Sequence, residues 1–195
     1  MNPRSMLLVM ALLLAGPAYA LDTAAYDHLS TEMEALAKRD AWQGVERKYL
    51  ALEALEMEIQ SKDLVIGAQS ARNLGDAYHC RERLIIAMTR STEGGETFSS
   101  ELSGWLGDLQ TNYGPVHLVA KNGAARLGSK QSFFQPDRRT ATKFAAETLM
   151  DTGEFNGLLP VGVYIWGGEV IDVVAGTEVP ERRKLKKTKS KRQYW

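Results

Sequence analysis

Hydrophobic and polar positions follow two different rhythms along this chain of 195 residues. From Asp22 to about Arg90, apolar residues recur at spacings of three and four, the period of a helix that buries one face. Leu29, Met33, Leu36 and Ala37 mark a first stripe, and Trp42, Val45, Tyr49 and Leu52 a second. Leu64, Ala68, Ala71 and Leu74 mark a third, while Cys80, Leu84 and Ala87 form a fourth with Ile85 and Met88 alongside. No proline interrupts this segment. Breaks fall at Lys38–Asp40, at Ser61–Asp63, where Ser61 or Asp63 can cap a helix, and at Gly75-Asp76. Ser91–Glu96 reads as a glycine-containing joint, and Phe98–Leu109 predicts one more amphipathic helix.

At Asn112-Tyr-Gly-Pro115 the rhythm becomes that of strands. Val116–Ala120 predicts a strand, Asn122-Gly123 a tight turn and Ala124–Leu127 its return strand. A loop over 128–136 carries Phe133-Phe134, a pair expected to be buried. Asp137 is placed to cap a helix over Arg139–Met150 that ends at Gly153. Gly157-Leu-Leu-Pro160 then leads into two β-rich runs, Val163–Trp166 and Val170–Val174, around Gly167-Gly168. That glycine pair suits a type I′ turn, which needs positive φ at both central positions. The expected fold is α+β: antiparallel helical hairpins over about 22–112, then a small sandwich-like β-rich domain over about 113–179 with one inserted helix.

The helices also repeat. Shifting Val45, Tyr49 and Leu52 by thirty-five residues lands on Cys80, Leu84 and Ala87, and the stretch Arg39–Tyr49 aligns with Leu74–Leu84. The Leu-Gly-Asp turn, the small Cys80 and the large Leu84 make this unit resemble a tetratricopeptide repeat, whose helix-turn-helix period is about 34 residues. The first copy departs from that pattern by having Val45 at the small position and no glycine in its turn. Neither copy ends in proline. A generic antiparallel bundle packs similarly and stands as the alternative. In the second half, Gly153-x-Phe155 and Gly157–Tyr164, followed by an aliphatic strand ending in Gly176, resemble part of a carboxypeptidase-regulatory-like or PEGA-type β-sandwich. That resemblance implies a stalk or recognition module without catalytic machinery. The helix over Arg139–Met150 is not part of its usual pattern.

Composition supplies the address. Arg4, the apolar run Met6–Leu14 and Ala18-Tyr19-Ala20 have the order of a secretory signal peptide over residues 1–20, cut after Ala20. Export to the periplasm or the outside follows. An uncleaved anchor is the alternative, although no run approaches the ~20 apolar residues of a membrane span. No transmembrane segment is expected in the mature chain. Cys80 is the only cysteine, so no internal disulfide can form, and it reads as a small core residue.

Charge separates the two ends. Residues 1–181 hold all 24 acids and 16 of the 24 Lys and Arg residues. The tail over 180–195 adds Arg182, Arg183, Lys184, Lys186, Lys187, Lys189, Lys191 and Arg192. Such a run attracts any polyanion, so these eight are candidate contacts for anionic lipid or acidic polymer, with no specific nucleic acid implied. A merely solubilising end accounts for them equally well.

Candidate chemistry is sparse. His28, His79 and His117 are scattered, no metal-ligand spacing occurs, and no nucleophile elbow, phosphate loop or dinucleotide fingerprint is present. Acid pairs such as Glu32/Glu34 and Glu56/Glu58 lie two apart, on different helix sides. No catalytic residue, cofactor or metal is assigned. Trp42, Tyr49, Tyr78 and Trp105 are candidates to line a groove for an extended peptide, against the plain reading that they are core. The sequence thus points to an exported, non-enzymatic envelope protein that binds another envelope protein through TPR-like helices. A tail-led polyanion- or membrane-surface binder and a cell-wall hydrolase with an unrecognised site are the alternatives.

Overall fold

The computed structural model describes residues 22–93, 100–120, 126–176 and 183–184. The segment expected to be a signal peptide, the turn expected at Asn122-Gly123 and most of the basic tail fall outside them. The architecture is α+β. Helix α1 covers 22–37, followed by α2 (Trp42–Glu53), α3 (Ser61–Leu74), α4 (Ala77–Glu93) and α5 (Ser100–Asn112). The remaining elements are β1 (Tyr113–Val119), β2 (Leu127–Ser129), α6 (Pro136–Thr152), β3 (Glu154–Pro160), β4 (Gly162–Trp166), β5 (Glu169–Val173) and β6 (Arg183–Lys184). Helix α4 runs to Glu93, into the segment expected to be a joint.

The two expected hairpins are α1–α2 and α3–α4. All six positions related by the thirty-five-residue shift are buried, from Val45, Tyr49 and Leu52 in α2 to Cys80, Leu84 and Ala87 in α4. The α3–α4 turn is set by Gly75 in the left-handed region at φ 92°. Asp76 then caps α4 by accepting the His79 backbone N–H at 3.1 Å. The start of α3 differs from expectation. Gln60 occupies the cap position with no side-chain cap bond, because Ser61 and Asp63 are already helical and the Asp63 carboxylate is drawn inward. Asp137 likewise does not cap α6. Gln135 is the cap residue, Pro136 opens the first turn, and the Asp137 side chain is held elsewhere.

The strands form two three-stranded sheets, in the orders β3-β1-β6 and β2-β4-β5. β1 pairs antiparallel with β3 over seven residues, from Tyr113 opposite Pro160 to Val119 opposite Glu154. β6 lies parallel to β1 at Leu118 and Val119. The hairpin at Gly167-Gly168 forms as predicted, with Trp166 opposite Glu169 and both glycines at positive φ, 54° and 85°. Of the return strand expected over Ala124–Leu127, only residues 126–127 are described, and Leu127 does not pair with β1. β2 joins β4 instead: β3 takes one side of β1 and β6 the other, and Leu127 is buried in the core between the sheets. The Phe133-Phe134 pair splits: Phe133 packs on Tyr164, and Phe134 is 93% exposed.

Three apolar clusters run through the molecule. The first joins Tyr26, Met33, Val45, Tyr49, Leu52, Leu64 and Ala87 between the hairpins. The last lies between the sheets and α6, where Ala145 and Leu149 meet Leu118, Phe155, Leu159, Tyr164 and Trp166. Helix α6 is therefore a layer of that core. The middle cluster crosses from one half to the other: Ala71, Cys80, Leu84 and Leu106 from the helices pack with Tyr113, Ala141 and Leu158.

Candidate functional site

Two buried charges stand out in the helical half, and both are consumed by structure. Arg83 is 3% exposed. Its guanidinium donates to both Glu46 oxygens, at 2.8 and 2.6 Å, and to the Gly67 carbonyl at 2.8 Å, tying α4 to α2 and α3. It also lies 3.8 Å from the centre of the Tyr49 ring. Burial works against the cation, yet the Glu46 bonds outweigh it and hold Arg83 above its ordinary range. Burial pushes the Tyr49 phenol up to about 12 despite the arginine beside it. Gly67 makes this arrangement possible, since a Cβ there would meet the Tyr49 ring at 2.3 Å. Asp63, fully buried, accepts Tyr26 Oη at 2.7 Å and Ser30 Oγ at 2.8 Å, which pins α1 to α3. Tyr26 Oη in turn accepts the Gln60 N–H at 2.8 Å.

At the junction of the halves a second group gathers. Arg72 donates through Nε and Nη2 to one Asp137 oxygen, at 2.9 and 2.6 Å, and lies 4.4 Å from the Trp105 ring centre. Arg138 reaches Asp108 at 3.7 Å across the same gap. Arg72, Trp105, Asp108 and Asp137, with Cys80, Tyr113 and Ala141, line a cavity of about 20 Å³. That is room for about one water. Burial pushes the Cys80 thiol up to about 12, so it is not a nucleophile at neutral pH. Burial also raises the Tyr113 phenol, helped by the Asp108 and Asp137 charges. The junction suits holding two halves together better than admitting a ligand.

The four aromatics expected to share a groove are divided. Tyr49 is buried under Arg83, and Trp42 packs partly buried in the same cluster. Tyr78 and Trp105 belong to the middle cluster, where Trp105 carries Arg72. No single surface presents all four. Of the eight tail bases, Arg183 and Lys184 have described backbone, in β6, and the other six lie outside the described residues. The acid pairs serve surface ion pairs: Glu32 with Lys48, Glu34 with Lys62 and Glu58 with Arg90. His79 bonds Asp76 at 2.6 Å and His117 bonds Glu154 at 2.6 Å. No group of three metal-ligating side chains occurs among the described residues.

An open concavity of the helical half lies between α1 and α2. Glu32, Ala35, Leu36, Gly44, Arg47, Lys48 and Ala51 line a groove of about 610 Å³. Small residues line it at Ala35, Gly44 and Ala51, and the nearest side chain to a Cβ at Gly44 is Leu36, at 3.2 Å. Lys48 is tied to Glu32 at 2.7 Å, whereas exposed Arg47 has no ion pair among the described residues. The signal was in the sequence, as the run Gly44, Arg47/Lys48 and Ala51 at helical spacing, but small residues do not register as a hydrophobic stripe. Searches against family models, curated proteins and solved structures gave no match for this chain. Among the described residues no helix is long and apolar enough to cross a membrane.

Proposed function

We propose that this chain is an exported, non-enzymatic adaptor of the cell envelope that binds a partner protein along its TPR-like helices. The observation that carries the reading is the α1–α2 groove. Its volume of about 610 Å³ falls in the range of ligand and peptide clefts, and the small Ala35, Gly44 and Ala51 in its lining leave a partner's side chains room. Arg47 at its edge selects for a partner segment with a carboxylate, and the mixed-charge rim favours a peptide over an apolar small molecule. The test is capture from envelope extracts with the tagged protein, compared with Ala51→Trp, which fills the groove, and Arg47→Glu, which reverses its edge. The reading expects one protein to be retained by the parent and lost with both variants. Retention that ignores both would end it.

A further inference from the structure

β4 and β5 alternate as strands with one buried face should, but the other face is not polar. Tyr164, Trp166, Ile171 and Val173 point inward and are buried. Outward stand Val163, Ile165, Val170 and Asp172. Ile165 and Val170 are direct cross-strand partners, 41% and 60% exposed, on a sheet face where antiparallel proteins ordinarily put polar residues. Nothing among the described residues covers them.

Register arranges this face in two tiers. Gly128 of β2 sits opposite Ile165, which sits opposite Val170. One step along, the Lys130 N–H bonds the Val163 carbonyl at 2.9 Å, and Val163 sits opposite Asp172. The upper tier reads hole, knob, knob, since Gly128 has no side chain and open space where a Cβ would be. The lower tier reads cation, apolar, anion. Exposed Lys130, one residue past β2, and Asp172 of β5 lie at opposite edges of the sheet, and neither has an ion pair among the described residues.

We propose that this face docks a second copy of the chain, sheet against sheet, about a two-fold axis running along β4. An axis in the interface plane along the central strand exchanges the two edges. Val170 of one copy then lies over Gly128 of the other, Ile165 meets Ile165, and Lys130 meets Asp172 twice. That is the self-complementarity an isologous interface requires, and aligned sheets pack in this way. Other occupants do not use both features at once: a lipid surface has no use for the Gly128 hole or for Asp172. With strands ~4.8 Å apart and ~17 Å long, the face is about 14 by 17 Å, well under the ~800 Å² per partner of a standard interface. Association is therefore weak and reversible. It is independent of the α1–α2 groove.

Sedimentation velocity of the whole chain, from roughly 10 μM to 1 mM, reads the proposal directly, since weak complexes populate only at such concentrations. The parent should shift from monomer toward dimer. Val170→Arg, Lys130→Asp and Asp172→Lys should each stay monomeric with unchanged circular dichroism, because all three sites are exposed. Combining Lys130→Asp with Asp172→Lys should restore the dimer, because the swapped charges meet across the axis and not within one copy. A parent that is monomeric throughout overturns the proposal, as does a dimer indifferent to Val170→Arg or a charge swap that fails to restore it. So does a monomer that dimerises only once residues 185–195 are removed, or one that adsorbs to phosphatidylglycerol vesicles through Val170.

Discussion

The two halves of this molecule fill their interiors differently. In the helical half the core holds charge: Arg83 and Asp63 are buried, and each is held by groups from other helices. Between the sheets the core is aliphatic and aromatic, and its polar atoms are few, such as Tyr164 Oη donating to the Pro160 carbonyl at 2.7 Å. Helices can slide and rotate along one another at little cost in apolar area, so directional bonds are needed to fix which turn faces which. Strands already have their register fixed by the ladder and by turns such as Gly167-Gly168. The first half is specified by partners, the second by backbone geometry.

Four perturbations test that contrast, the largest first. Leu84→Asp places a carboxylate at a fully buried site in the middle cluster. Burying it unpaired costs several kcal/mol, on the order of the 5–15 kcal/mol margin of a domain. Helical circular dichroism should collapse, and because Leu158 and Tyr113 share that cluster, β-half amides should lose protection from hydrogen exchange too. Protection confined to the β half would show that the shared cluster does not couple them.

Glu46→Ala comes next. It strands Arg83, whose side chain is 4% exposed, and breaking a buried pair from one side costs about 3–5 kcal/mol. Adding Arg83→Met should recover much of the loss in thermal midpoint. If the double variant melts lower than Glu46→Ala alone, the arginine contributes through its packing on Tyr49 and not through its charge.

Gly168→Val isolates backbone geometry, since a Cβ there meets nothing within 4 Å and the only obstacle is φ 85°. A β-branched residue in that region costs on the order of 1–3 kcal/mol. Limited proteolysis should cut the β hairpin first and spare α2 to α4. A mutant as resistant as the parent would remove turn geometry as the determinant in this half.

The smallest effect is electrostatic. The Asp76 hydrogen bond raises the His79 imidazole above its ordinary value, with burial opposing. The folded state thus holds its proton more tightly than the unfolded chain. The stabilisation is complete in acid, below the ordinary value of about 6.5, and is lost as pH rises through the higher folded value. The thermal midpoint of the parent should fall, relative to His79→Gln, on going from acid to mildly alkaline buffer. Parallel curves would show that the pair contributes nothing.

How much of this was legible follows from the same contrast. The stripes Val45–Leu52 and Cys80–Ala87 declared themselves because apolar periodicity reports burial directly, and the glycine pair because positive φ leaves a chemical trace. Asp63, Arg83 and Asp137 were unreadable. As isolated letters they look like a cap, a solvated face and another cap, and only the partner helix says otherwise. Tyr49 failed as a groove residue for that reason, since its environment is made by Arg83, thirty-four positions away. The pairing of β2 with β4 was hidden because Asn122-Gly123 advertises a local hairpin, whereas the seven-residue ladder between β1 and β3 is a long-range competitor.

The bare Cα of Gly67 has a consequence for how the sequence can drift. A single methyl at that site would stand 2.3 Å from the Tyr49 ring, so neither position can change alone without disturbing the stacked arginine. Residues 49 and 67 form a lock-step pair. Among descendants of this chain a larger residue at 67 should arise only alongside a smaller one at 49, while Arg83 stays tied to Glu46 and to the residue 67 carbonyl whatever stands at 49. The hydrogen on one glycine thus decides which ring the neighbouring helix can carry over the buried arginine.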